Sequence, residues 1–347
     1  MHELIKKLFN GQVLKKEELK AILEGYTPDI AKQLAQEASR IRKKWYGDAI
    51  YVRGLIEFTN YCKNDCYYCG IRKSNCHATR YRLRKEDILD CCDKGYEIGF
   101  RTFVLQGGED SYWKDERLCE VISAIKYKYP QCAITLSVGE RSKQSYQRLF
   151  DAGADRYLLR HETANEKHYS LLHPPNLNLE HRKQCLYALK EIGYQVGCGF
   201  MVGSPYQSVD TIAEDLCFLQ EFQPHMVGIG PFIPHKDTPF AKEKAGTLEM
   251  TLYLLSIVRL LLPKVLLPAT TALGSIHEKG REKGILAGAN VMMPNLSPEN
   301  VRKNYLLYDN KISTGEEAAE NLKLLKAKMT SIGCMVAINR GDSLLVK

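Results

Sequence analysis

Val52-Arg53-Gly54-Leu55-Ile56-Glu57-Phe58-Thr59-Asn60-Tyr61-Cys62-Lys63-Asn64-Asp65-Cys66-Tyr67-Tyr68-Cys69 runs from an apolar stretch straight into three thiols. Val52–Phe58 has the length and residue types of a buried strand. The cysteines follow in the loop, separated by three residues and then two. Three cysteines can hold three irons of a 4Fe–4S cluster and leave the fourth iron open to another ligand. Tyr61, Tyr67 and Tyr68 would shield such a cluster from water, and burial is one lever on its potential. Zinc is the other reading. Cys66 and Cys69 form an ordinary half-site, with Cys76 or His77 available as a fourth ligand. A zinc site needs a paired motif, however, and no second C-x-x-C or H-x-x-x-H half-site is present. Met1–Lys7 runs directly into charged helical sequence, with no secretory leader. Twelve cysteines without such a leader are expected to be reduced thiols in a cytoplasmic protein.

Outward from this stretch, short apolar runs alternate with amphipathic segments. The runs are Val52–Phe58, Thr102–Gln106, Ala133–Val138, Arg156–His161, Gln195–Val202, Met226–Gly230, Val265–Thr271 and Asn290–Met293. Between them lie Lys85–Tyr96, Glu116–Lys128, Ser142–Phe150, Glu180–Ile192, Ser208–Glu221, Met250–Leu262 and Glu278–Leu286, which carry helical spacing. Strands alternating with helices imply a parallel sheet. Eight such units over about 250 residues are the size of a complete (β/α)₈ TIM barrel. Residues 1–49 read as an N-terminal helical extension, with Thr27 capping a helix that opens at Pro28. Residues 50–295 form the barrel. Residues 296–347 form a C-terminal tail packing on it, with a helix from Glu316 to Thr330.

With 44% hydrophobic and 26% charged residues, the composition is that of a soluble globular protein. The longest apolar stretch, Leu252–Pro263, is broken by Ser256 and Arg259 and is too short to span a bilayer. The net charge of +8 is spread along the chain, without an arginine-rich tract or a nucleic-acid motif. Neither a membrane nor a nucleic acid is an expected partner. The positive balance suits solvated helix faces or a site for small anions.

A barrel places its chemistry at the C-terminal ends of its strands. The cysteines follow the first strand. Gln106–Asp110, Ser137–Glu140, Arg160–Thr163, Met201–Gly203, Gly230–Phe232, Thr270–Thr271 and Pro294–Asn295 follow the others. Arg156 and Arg160 lie four apart on one strand, so they share a face. If that face is the lumen, two buried cations require an anion. If it is the outside, they pair with acidic neighbours under the helices. His161 is either a cavity-wall residue or a satisfied buried histidine.

Several segments together resemble the HydE family of radical S-adenosylmethionine (SAM) maturases of iron–iron hydrogenase, relatives of biotin synthase. They are Cys62–Cys69, Gln106–Asp110, Arg156–Asn165, Gly228–His235, Pro268–Ala272 and Ala289–Asn295. The cysteine spacing is shared by the whole radical SAM superfamily; Arg-His-Glu-Thr-Ala-Asn at 160–165 and Gly-Pro-Phe-Ile-Pro-His at 230–235 are more specific. The resemblance covers roughly residues 35–312. It implies a closed lumen, one 4Fe–4S cluster on Cys62, Cys66 and Cys69, and SAM on the open iron, cleaved by an incoming electron to a 5′-deoxyadenosyl radical. It implies a small sulfur-containing or organometallic anionic substrate, used in assembling the di-iron subcluster of the hydrogenase H-cluster, an electron donor, and other hydrogenase maturases as partners.

The same resemblance implies that Tyr68, Gln106, Gly107, Gly108, Ser137, Glu162, Arg182 and Met293 surround SAM. Gly107 and Gly108 would let the backbone approach its methionine end. Glu162 would accept from its amino group or ribose, and Arg182 would pair with its carboxylate. Arg156, Arg160, Thr270, Thr271, Tyr305 and Tyr308 would line the lumen and hold the substrate. Cys334 is the single cysteine of the tail, so no accessory cluster is expected there. Cys91, Cys92, Cys119, Cys132, Cys185, Cys198 and Cys217 read as core residues, and Cys76 as a surface thiol. The alternatives are another enzyme of the biotin-synthase group, such as methylornithine synthase, and a non-catalytic cluster scaffold. Carboxylates in the lumen would favour the former.

Overall fold

The computed structural model describes residues 1–312 and 318–346. In chain order its strands are β1 (Ala49–Val52), β2 (Gly54–Thr59), β3 (Thr102–Gly107), β4 (Ala133–Ser137), β5 (Arg156–Leu158), β6 (Gln195–Cys198), β7 (Met201–Val202), β8 (Met226–Val227), β9 (Gly230–Pro231), β10 (Val291–Met292) and β11 (Met335–Ala337). Six of them form a parallel sheet in the order β2-β3-β4-β5-β6-β8. Every residue of β2 is buried, as expected where helices cover the outer face of a parallel sheet. β7 and β9 continue β6 and β8 beyond short breaks and pair with each other. β1 precedes β2 in one nearly continuous run and pairs with β10 and β11.

The expected seventh strand, Val265–Thr271, is reduced to two single parallel bridges, Met226–Leu266 and Pro268–Val291. Pro263 and Pro268 explain the reduction, because proline supplies no N–H to a ladder. A helix over Thr271–Ile276 then begins, after Thr270, where strand had been expected. A further bridge, Leu55–Asn295, joins β2 to the last apolar run.

The expected helices form, with ends moved by a few residues: Lys85–Ile98, Asp115–Lys128, Lys143–Asp151, Leu179–Ile192, Val209–Phe222, Leu248–Leu261 and Gly280–Leu286. The helix Glu166–Leu172 is additional. It is too short to show a helical period, but the Asn165 side chain accepts from His168 N at 2.8 Å and starts it. At the N-terminus, helices span His2–Phe9, Lys16–Glu24 and Pro28–Tyr46. Thr27 Oγ1 accepts from Ile30 N at 3.2 Å, so the expected cap is present. Tyr253 Oη donates to Ile22 O at 2.7 Å and ties this extension to the helix Leu248–Leu261.

The first two residues of the expected Glu316–Thr330 helix lie outside the described residues. Within them, a 3₁₀ turn at Ala319–Asn321 leads into the helix Leu322–Ser331 and then β11. The tail crosses beneath the N-terminal edge of the sheet, where it corrects one expectation. Arg156 and Arg160 do point to the same face as Leu158, but a strand rises about 3.3 Å per residue, so the two guanidiniums belong to opposite ends of that face. Arg156 Nη2 donates to Asp342 Oδ1 at 2.6 Å and to Arg340 O at 2.7 Å, and its Nη1 to Thr102 Oγ1 at 3.2 Å. Its buried charge is answered by the tail and is not available at the mouth.

Among the described residues, no helix is long and apolar enough to cross a membrane.

Candidate functional site

The loop after β2 is laced into place by protein–protein hydrogen bonds. Arg80 donates from Nη1 to Asn60 O (2.5 Å) and Ile71 O (2.9 Å), and from Nη2 to Arg72 O (2.6 Å) and Asn75 O (3.1 Å). Asp65 accepts from Arg72 Nε at 2.7 Å and Ser74 N at 3.0 Å. These bonds outweigh partial burial and hold its carboxyl down at about 2. Gly70 N donates to Leu307 O at 2.8 Å, and Asn60 Nδ2 to Asn304 O at 2.7 Å. The segment after the last apolar run therefore straps the loop from above.

Cys62, Cys66 and Cys69 are free thiols, and all three open onto one cavity of about 370 Å³. Burial pushes all three thiols up, Cys69 to about 12, and neighbouring members of the trio add to the shift at Cys66 and Cys69. Loading metal here must displace protons. The trio is not drawn in as a single-ion site: among the described residues, no group of three His, Cys, Asp or Glu side chains could hold one metal ion. Three thiols on a tightly laced loop could hold three irons of a cluster and leave the fourth open.

The same cavity is bordered by Tyr68, Gln106, Gly107, Gly108, Ser137, Glu162, Arg182 and Met293 on one side of the expectation, and by Arg160, Thr270, Thr271, Tyr305 and Tyr308 on the other. Of the expected site residues, Arg156 alone is elsewhere. The glycines also serve the packing of the loop. A Cβ on Gly108 would stand 2.3 Å from Tyr61 O and 2.8 Å from Cys62 Cβ, and one on Gly107 2.7 Å from Thr59 Cγ2. They let the cysteine loop lie against the end of β3.

Glu162 is buried and has φ +65°, a left-handed backbone rare for a residue with a side chain. Arg160 Nη2 lies 2.9 Å from its Oε2. The Nε of Arg160 and the buried Oγ1 of Thr270 have no protein partner, so both are free for a ligand. Arg182 is ion-paired through Nε with Glu140 and donates from Nη1 to Arg160 O at 2.8 Å. Burial works against its charge, but Tyr169 and Glu140 outweigh it and raise its pKa well above the ordinary value. Tyr68 Oη is 3.0 Å from His173 Nε2. His173 Nδ1 faces Tyr169 O at 2.9 Å and so carries the proton, which leaves Nε2 to accept from the phenol. Burial lowers His173 to about 3, so this tautomer is neutral.

Sequence reasoning missed a second polar set in the cavity. Lys311 Nζ donates to Glu57 Oε1 at 2.5 Å and to Tyr305 O at 3.0 Å, while Asn295 Nδ2 donates to Glu57 Oε2 at 2.8 Å. Glu57 was visible as a lone charge in an otherwise apolar strand, in phase with Leu55; Lys311 gave no signal. It also missed Arg80 and His173. His161 is not on the cavity wall. It is buried between Phe200 and Phe218, 3.3 Å from Asp215. Cys198 is likewise in the hydrophobic core with Val196 and Phe200, Cys334 is buried beside Arg42, and Cys76 is exposed.

Residues 56–219 match the radical SAM superfamily. The chain is 44% identical over 317 residues to the [FeFe] hydrogenase maturase subunit HydE of Thermotoga maritima, covering 91% of this chain and 89% of that protein. It is 26% identical to 3-methylornithine synthase of Methanosarcina acetivorans, over 94% of this chain and 91% of the relative. A crystal structure of methylornithine synthase superposes with a TM-score of 0.84 at 25% identity, covering 96% and 97% of the two chains. The hydrogenase maturase HydG of Carboxydothermus hydrogenoformans shares the fold at a TM-score of 0.80 and 19% identity, covering 97% of this chain and 79% of that one. Radical SAM enzymes work with a 4Fe–4S cluster and SAM, and the three thiols opening onto one cavity fit both. The chain belongs to the HydE family of radical SAM hydrogenase maturases.

Proposed function

We propose that the parallel sheet and its bridges close into a complete (β/α)₈ barrel over residues 50–295, with residues 1–49 and 296–347 packed on it, and that a small anionic, organometallic precursor of the H-cluster is transformed in its lumen. Supporting closure, the bridges at Met226–Leu266, Pro268–Val291 and Leu55–Asn295 run from one edge of the six-stranded sheet round to the other. When bound, the cluster and SAM supply reductive cleavage of a sulfonium C–S bond and a primary carbon radical. The protein's own part is to hold, orient and exclude water.

Cys62, Cys66 and Cys69 hold the cluster, and no accessory cluster forms at Cys334. Tyr68, Gln106, Ser137, Glu162, Arg182 and Met293 hold SAM, with Gly107 and Gly108 bringing the cysteine loop close. Arg182 serves SAM while it stays paired with Glu140, so one guanidinium fixes both. Arg160, Thr270, Thr271, Tyr305 and Tyr308 hold the substrate. The observation that carries this reading is the unpartnered Arg160 Nε and Thr270 Oγ1 bordering the same cavity as the three cysteines. They are hydrogen-bond donors waiting for an acceptor, as a carboxylate or other anion would be. A reactive radical requires a pinned substrate, since any hydrogen within reach is otherwise taken. An electron donor and other maturases are the partners, in a cytoplasmic setting.

Glu57 keeps the methylornithine-type reading as the second one, because a buried carboxylate suits a substrate ammonium. Lys311 and Asn295 already satisfy both its oxygens, which favours the anionic substrate. The test is anaerobic reconstitution followed by SAM cleavage and hydrogenase maturation. About four irons and four sulfides per chain are expected, with 5′-deoxyadenosine formed and the hydrogenase activated. The Cys62, Cys66 and Cys69 triple Ala variant must lose all three. Deoxyadenosine production driven by lysine without any maturation would transfer the chain to the second reading.

A further inference from the structure

The segment Arg160–Ala164 is gripped from behind, on the face away from the cavity. β6 ends at Cys198 and β7 begins at Met201, and an isolated parallel bridge from Phe200 to Glu162 spans the gap between them. Gly199 has φ +149°, and a Cβ there would stand 2.0 Å from Gly228 O. Its N–H, which would otherwise lack a strand partner, donates to His161 Nδ1 at 3.3 Å. An accepting Nδ1 places the imidazole proton on Nε2. That atom faces Asp215 Oδ1 at 3.3 Å, and the same oxygen accepts from Ala164 N at 2.5 Å. Asp215, from the helix Val209–Phe222, thus holds the backbone at 164, and His161, packed beside it, holds Gly199 N.

Glu162 lies between these two points. Its N donates to Gly199 O at 3.0 Å and its O accepts from Met201 N at 3.4 Å. Lys183 Nζ donates to Ala164 O at 3.1 Å, and Arg182 Nη1 to Arg160 O, completing the grip. His161 and Asp215 are both fully buried, border no part of the cavity and touch no reacting group. Buried polar pairs of this kind are retained where they fix one arrangement of the chain. The arrangement fixed here is a left-handed residue with a side chain, which persists only where its surroundings over-determine it.

We propose that His161 and Asp215 are positioning residues that lock the backbone of Glu162 in its left-handed conformation and so aim its carboxylate at SAM. The proposal rests on the reading that Glu162 contacts SAM. The acceptor on Asp215 is what matters, since Oδ1 accepts from Ala164 N whether the carboxyl is ionised or not.

The experiment measures SAM affinity of the anaerobically reconstituted full chain by calorimetry, alongside its melting temperature. Asp215→Leu, close in size and without an acceptor, should weaken SAM about tenfold, the loss of one good polar contact. Asp215→Asn, which keeps an amide oxygen, should restore affinity to within about threefold, the range of one weakened neutral hydrogen bond. On a Glu162→Gln background, Asp215→Leu should add nothing, because it acts through that side chain. His161→Phe, which keeps the ring against Phe218, should behave as Asp215→Leu does and decides the matter if the leucine variant does not fold. Folded Asp215→Leu or His161→Phe with wild-type affinity overturns the proposal. So does a loss that multiplies with Glu162→Gln, or an Asn variant as weak as the Leu one. If Glu162→Gln alone leaves SAM affinity unchanged, the reading of Glu162 is wrong and the proposal falls with it; if Glu162→Gln weakens SAM and the Asp215 variants do not, only the proposal falls.

Discussion

Asp342→Ala separates the two ends of the sheet. Asp342 accepts from Arg156 Nη2 (2.6 Å), Gln195 Nε2 (2.7 Å) and Arg340 Nε (2.9 Å). Arg156 has a side chain only 3% exposed, so removing its carboxylate leaves a buried cation with two neutral acceptors, Arg340 O and Thr102 Oγ1. Breaking a fully buried pair costs about 3–5 kcal/mol. Asp342 is itself 38% exposed and solvent screens part of its field, so about 2 kcal/mol is the working figure. An unfolding entropy of about 2.1 cal/mol/K per residue, over 347 residues, converts this to a melting temperature about 3 °C lower. The acid limb carries the same signature. The three donors hold the Asp342 carboxyl below its ordinary 3.8 despite burial. A depressed carboxyl stabilises above its unfolded pKa, and that share is lost as pH falls through the folded one. Wild type should lose stability below pH 3.8 that the variant never had. The assay is paired thermal melts across pH with SAM titrations at neutral pH. Unchanged melting combined with weakened SAM binding would refute the separation, because the tail would then be acting on the cavity.

Arg160→Lys keeps the charge and loses the planar fork, so SAM should still bind while hydrogenase maturation falls and uncoupled deoxyadenosine formation persists; the two products are quantified side by side. Gly108→Ala should leave far-ultraviolet circular dichroism intact but cut iron incorporation severalfold, because the added methyl meets Tyr61 O at 2.3 Å and pushes the cysteine loop off β3. Asp65, held at about 2 against an ordinary 3.8, should contribute loop stability that is present above pH 3.8 and disappears towards pH 2. Asp65→Asn should remove that part of the acid transition, followed as cluster retention after a brief acid pulse.

Periodicity carried most of the fold because a buried strand and an amphipathic helix leave different spacings in the sequence. It failed where backbone chemistry overrides spacing. Val265–Thr271 is apolar enough for a strand, yet Pro263 and Pro268 reduce it to bridges. Glu166–Leu172 has fewer residues than two helical turns and shows no period. The cavity residues were legible where strands end in polar residues, and the motif spacing named the cysteines. Arg156 shows the limit of that reasoning. Alternation along a strand gives the face a side chain points to, and gave it correctly for Arg156 and Arg160, but not which end of the sheet is open. The tail settles that end, and Asp342 is 186 residues further along the chain. Lys311 and Asp215 were invisible for the same reason: each acquires its role from a neighbour remote in sequence.

Arg80 offers four N–H bonds to four carbonyls of a loop whose thiols it does not touch. Most small metal-binding loops owe their shape to the metal and collapse when it leaves. Here part of the shape is carried by protein–protein hydrogen bonds that involve no thiol, so it does not depend on the metal alone. The consequence is one of repair. After oxidative loss of a cluster, a loop held by these bonds should keep its three thiols on the same cavity, so rebuilding should require iron, sulfide and electrons but no refolding of the chain.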